Sequence, residues 1–173
     1  MASYYYLISS LPTLKAEASM PFSYDEFLKM CENTVGKDTY DKLSALTLKS
    51  EDSPFLKQWG LFYNKMMNSL CRQRKIKLGK SASSAAEKDL LIDRAVDEAM
   101  SAENPLEAEK ILLKCQFEFL DGLVGMHYFD DFVLFGYAVK LKLLERQSVF
   151  ETESGKQEFK RLFDGIQQQI ASI

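Results

Sequence analysis

The sequence predicts an all-α protein, a multi-helix bundle of about seven helices. Three observations predict it. Helix start signals recur along the chain. Apolar residues repeat at spacings of three and four. Strand signals are nearly absent, and glycine is scarce, at 8 of 173 residues. A chain of this length buries roughly 70% of its unfolded surface. It is 46% hydrophobic and 27% charged, a globular composition rather than a disordered one. We expect one helical domain over 1–173, with 1–83 and 84–173 as candidate sub-bundles.

The elements follow in order. Tyr4-Tyr5-Tyr6-Leu7-Ile8 has strand propensity, but a lone strand has no partner here, so a short helix ending before Pro12 is favoured. Ser23 with Glu26 forms a capping box and opens a helix over 24–33. A helix over 38–48 follows. Ser53-Pro54 is a cap with proline at the first helical position, where the missing N–H costs nothing. It opens a helix over 54–77, whose Phe55, Trp59, Phe62, Met66 and Leu70 make one stripe. Ser84 with Glu87 repeats the capping box for 85–102, and Asn104-Pro105 repeats the cap and proline for 105–124. Asp130 caps 130–147, and the last helix covers 153–171. The link after 54–77 is short, so that helix and the next form an antiparallel hairpin.

Several functions can be tested on the residues. Gly79-Lys80-Ser81 has the ending of a phosphate-binding loop, but the required earlier glycine is Arg74 and a helix precedes it instead of a strand. Glu118, Asp121, His127, Asp130 and Asp131 crowd one region. The Glu-x-x-His pattern of a carboxylate metal bundle is absent, since Val124 stands three before His127. His127, the lone histidine, has no nucleophile near it in sequence. No cofactor is expected. Cys31, Cys71 and Cys115 are widely spaced and each falls in an apolar helical pattern, which suits core thiols in a reducing compartment. The formal charge of −3 argues against a dedicated nucleic-acid binder. The N-terminus lacks a basic region and a long apolar run, so it is not read as a secretory signal. No run approaches the ~20 residues of a membrane span. The expected location is the cytoplasm.

Two surfaces remain as candidates for docking a partner. One is the basic helix end at Arg72, Arg74, Lys75 and Lys77, which either faces the acidic helix that follows or meets an acidic protein. The other lies in FDDFVLFGYAVKLKLLER, residues 129–146. On a helical wheel Asp131, Lys142, Glu145 and Arg146 share one side, and Phe132, Gly136, Val139 and Leu143 share another, about 100° round from it. Leu134, Phe135 and Ala138 lie on the otherwise polar side. The start of this helix is therefore apolar all round. It needs wrapping by other helices of the chain, or by another protein docking on Phe132, Leu134, Phe135 and Tyr137.

The N-terminal YYYLISSLPTL followed by FSYDEFLKMC resembles a small family encoded within bacterial V-type ATPase operons. Tyr4 to Leu7, Ser10-Leu11-Pro12, Glu26-Phe27-Leu28 and Cys31 carry the resemblance. Gly136-Tyr137, Lys140 and Glu145-Arg146 look like the last-domain helix of the V-type C (or d) subunit. The resemblance implies an all-α, non-catalytic piece of a rotary ATPase, with central-stalk and rotor subunits as partners. It also implies a place peripheral to the inner membrane, through the complex. The chain is about half the length of such a subunit and lacks the arginines expected near its start. A complete three-lobed socket is thus not implied, and a shortened substitute, an assembly factor or a regulator is. Two other readings stand beside it: a helical adaptor unrelated to that complex, and an enzyme with a site around His127 and the nearby acids.

Overall fold

A computed structural model of the chain describes residues 4–80, 89–148, 155, 158–164 and 167. The helices are α1 (Tyr5–Ser10), α2 (Tyr24–Cys31), α3 (Lys37–Ser44), α4 (Pro54–Lys77), α5 (Leu90–Ser101), α6 (Pro105–Val124) and α7 (Asp131–Ser148). Residues 158–164 are a further helical stretch, α8. Among the described residues there is no strand, so the fold is an all-helical bundle.

Local chemistry sets most helix starts. At α2 the Ser23 hydroxyl accepts from the Glu26 amide at 3.3 Å, while the Glu26 carboxylate accepts from the Ser23 amide at 2.9 Å. Each bond satisfies an amide that the helix itself leaves unpaired. Ser53 accepts from the Leu56 amide at 3.1 Å, and Asn104 accepts from the Glu107 amide at 2.8 Å. At α5 the cap is Asp89, which accepts from the Leu91 and Ile92 amides. Ser84 and Glu87, expected to cap that helix, lie outside the described residues, as does most of 153–171. The stop of α4 is also chemical. Gly79 takes φ +68°, its amide donates to the Ile76 carbonyl at 2.9 Å, and the Lys80 amide donates to the Lys75 carbonyl at 3.0 Å. This paired arrangement closes a helix end, and glycine adopts the left-handed backbone without penalty. Gly79-Lys80 thus ends a helix.

Two helices end sooner than expected. α2 stops at Cys31, whose carbonyl accepts from the amides of both Thr34 and Val35. α3 stops at Ser44 instead of 48 because Leu46 turns into the core and the Leu48 carbonyl accepts from the Trp59 indole N–H at 3.0 Å. A tertiary bond here outweighs local helix propensity.

The helices α4, α5 and α6 pack in succession, and α7 lies against α6, α4, α2 and α3. The ring of Phe62 lies on that of Phe119 at 3.9 Å between centroids and 7° between planes, and Trp59 packs beside both. Trp59, Phe27 and Phe55 are fully buried. Each such side chain contributes roughly 1.5–3 kcal/mol on leaving water. One apolar core joins side chains of 1–83 to side chains of 84–173. Cys31 and Cys115 belong to it, and burial pushes their thiols up to about 12 and about 11. Cys71 does not: it is exposed, one residue past the buried Leu70 and so about 100° round the helix.

Candidate functional site

The apolar start of α7 is wrapped by this chain itself. Leu134, Phe135, Gly136 and Ala138 are buried, as are Val139, Leu141, Leu143 and Leu144. Leu134 and Phe135 therefore form no exposed docking patch; they are core. Phe132 is half-buried, edge-on to Phe55 at 5.6 Å. Tyr137 is half-buried against Phe22 and Phe27, and its hydroxyl donates to the Pro12 carbonyl at 3.1 Å. Burial pushes its phenol up to about 12. Gly136 is required by close approach, because a Cβ there would lie 2.6 Å from Val124 Cγ2 and 3.3 Å from Phe55 Cζ.

The polar side of α7 is covered as well. Asp131 accepts from the Tyr4 hydroxyl at 2.9 Å and from Thr39 at 3.3 Å. Lys140 pairs with Asp121, and Arg146 with Glu109. Lys142 pairs with Glu145 at 3.0 Å and lies 3.8 Å over the Tyr24 ring. The wheel could not show that Tyr4, Thr39, Glu109 and Asp121 reach this side from remote segments.

The basic end of α4 divides. Arg72 is bound to Asp93 on α5 at 3.1 Å, and Ser69 donates to the same carboxylate oxygen at 2.8 Å. Lys77 donates to the Met100 carbonyl, and Gln73 donates to Asp97 at 2.7 Å. Ser69, Gln73 and Lys77 thus meet Asp93, Asp97 and Met100 in the same order along both helices, so α4 and α5 run parallel here and not as the antiparallel hairpin expected. α4 ends at Lys77 and α5 begins only at Leu90, which leaves more chain between them than the short link assumed. Arg74 and Lys75 point outward and are exposed.

His127 is exposed but paired. Its Nδ1 meets Asp130 Oδ2, while Asp130 Oδ1 accepts from the Phe132 and Val133 amides at 3.1 and 3.4 Å. The imidazole also stacks on Phe132 at 4.4 Å. Asp130 thus caps α7 with one oxygen and holds the imidazole with the other. Among the described residues no hydroxyl or thiol is hydrogen-bonded to His127, so the pair is not extended to a nucleophile. Among them, too, no group of three or more His, Cys, Asp and Glu side chains is placed to hold a metal ion.

An aromatic surface forms where sequence periodicity gave no signal. The Tyr4 amide donates to the Phe129 carbonyl at 2.9 Å, which ties the start of α1 to the loop between α6 and α7. Tyr4 and Leu7 then turn inward, and Tyr5 and Tyr6 outward. Tyr5 packs on Phe129 at 4.7 Å and on Tyr6 at 5.5 Å; Tyr128 lies 6.4 Å from Phe129. Tyr6 is 86% exposed and Met126 82%. The only advance signal was the run of three tyrosines. A second apolar feature is a groove of about 800 Å³ between α5 and α6, with Leu91, Ala95, Ile111 and Cys115 among its lining.

No helix among the described residues is long and apolar enough to cross a membrane. The chain matches no family model, no curated protein and no solved structure.

Proposed function

We propose that this chain is a non-catalytic subunit or assembly factor of a bacterial V-type rotary ATPase, acting through protein contacts with central-stalk and rotor subunits. The observation that carries the reading is the placement of the N-terminal tyrosines. They belong to the stretch that resembles proteins of V-type operons. Tyr4 anchors that stretch to α7 through Asp131, and Tyr5 and Tyr6 stand outward in an aromatic cluster with Tyr128 and Phe129. Exposed tyrosine and phenylalanine bury large areas at small entropic cost and are enriched at protein interfaces. Arg74 and Lys75 offer a separate positive surface for an acidic partner. In this reading the His127–Asp130 pair serves as a helix cap, and no cofactor is required.

The test is co-purification. The tagged protein, at native level in its source cells, is solubilised gently and its companions are identified by mass spectrometry. Stoichiometric central-stalk and rotor subunits mark a structural subunit, and trace amounts mark an assembly factor. Loss of every V-type subunit while the ATPase stays intact overturns the reading and leaves a helical adaptor for another complex.

A further inference from the structure

The groove between α5 and α6 has the form of a helix-binding site. Leu91, Arg94, Ala95 and Glu98 line one wall, at spacings of three, one and three along α5. Ile111, Lys114, Cys115 and Glu118 line the other with the same spacing along α6. Each wall therefore presents one helical stripe with apolar residues at its base and one cation and one anion at its rim. A third amphipathic helix, laid along two such walls, anchors through residues at i, i+3 and i+4. The inner faces of α5 and α6 are occupied by the core, through Ile92, Val96, Leu112 and Leu113.

Among the described residues, α8 carries this pattern with its apolar side chains exposed. On α8, Phe159, Leu162 and Phe163 are 70%, 60% and 50% exposed, and the two phenylalanines stack on each other at 6.1 Å. The sequence continues the spacing with Ile166 and Ile170. At about 100° per residue, Glu158 and Lys160 flank the stripe on opposite sides. That gives both signs of charge to meet rims that carry both signs.

Reach favours this occupant. α7 ends at Ser148, with Arg146 bound to Glu109, and Glu109 lies just before Ile111 on α6. Gly155 is already helical, so the chain from Ser148 to Gly155 spans at most about 23 Å, whereas one helix is about 10–12 Å across. A tether of this length holds its end at an effective concentration of order millimolar.

We infer that α8 is the resident ligand of the α5–α6 groove: the C-terminal helix folds back and docks Phe159, Leu162 and Phe163 between Leu91, Ala95, Ile111 and Cys115. Any outside helix that uses this groove must displace α8.

The test is thiol labelling of the full chain carrying Cys71→Ser and Leu91→Cys. Leu91 is half-exposed in the open groove, while Cys31 and Cys115 are buried and slow to react. Maleimide should label the new thiol at least tenfold more slowly than in the same chain with Phe159→Asp and Phe163→Asp. Both substituted positions are exposed, so unchanged far-UV circular dichroism will verify that the bundle is intact. Protection should not vary with chain concentration from about 1 to 100 μM, since the tether supplies about millimolar helix. Equal labelling in both proteins overturns the inference. Protection that appears only as concentration rises also overturns it, and assigns the groove to a second copy. No ATPase component enters the experiment, so its outcome is independent of the co-purification above.

Discussion

The first turns of α7 and the loop before it are neighbours in sequence and opposites in environment. Leu134 and Phe135 are buried, whereas Met126, Tyr128 and Phe129 are exposed to differing degrees. Both stretches are apolar, so composition does not separate them. The difference is the number of elements around each. α7 has α2, α3, α4 and α6 beside it. The loop has the short α1, tied on through the Tyr4 amide. An apolar residue is a surface feature only when the topology leaves it without neighbours.

The sharpest way to break this comparison is to cut into α7. Phe135→Ala should cost about 3–5 kcal/mol, the usual loss for an aromatic truncated in a packed core. Urea denaturation measures it, and a loss below 1 kcal/mol would return Phe135 to the surface. Gly136→Ala comes next. Its added methyl meets Val124, a stiff side chain, at 2.6 Å, so overpacking should cost about 1–3 kcal/mol. An unchanged melting temperature would show that α6 and α7 move apart freely.

A pH series sharpens the contrast further. The Cys31 thiol is raised in the folded chain to about 12 by burial. A raised acid favours the folded state below its ordinary value, near 8.5, and loses that contribution as pH climbs toward the folded value. Stability should therefore fall between about pH 8.5 and 12. Cys31→Ala, though less stable at neutral pH, should fall less steeply. Parallel curves for the two proteins would remove Cys31 from the alkaline transition. At the small end, Tyr6→Ser with Tyr128→Ser should change stability by no more than about 0.5 kcal/mol, as exposed substitutions do. The same pair should release the companions found by co-purification. A large loss of stability would place these rings in the core; companions retained at full yield would move the interface elsewhere.

What was legible in the sequence follows from the range of the forces involved. Caps act over three residues, so Ser53-Pro54 and Asn104-Pro105 marked the starts of α4 and α6. Asp130 marked α7 in the same way. The direction of α5 was not legible: a short link predicted an antiparallel hairpin, but Ser69, Gln73 and Lys77 meet Asp93, Asp97 and Met100 in parallel order. The end of α3 was not, because it depends on an indole eleven residues away. The covering of α7 was not, since Tyr4, Thr39 and Glu109 reach it from remote segments. Cys71 was misplaced because a stripe widened by neighbours no longer fixes which side of the helix one residue takes. The aromatic surface was the least legible part, built from a helix of six residues and a loop, neither long enough to show a period.

The placement of α7 has a consequence for how the molecule is made. α2 and α3 pack chiefly on each other and on α7, which leaves the ribosome long after they do. At about 5–20 residues per second, the interval between Ser44 and Asp131 is on the order of ten seconds. During that time α4, α5 and α6 can assemble from local contacts, while Phe27 and Leu43 have no lasting cover. The nascent chain thus carries this apolar stretch without its α7 cover until the last long helix arrives, and a late folding step joins two parts of the message that lie far apart.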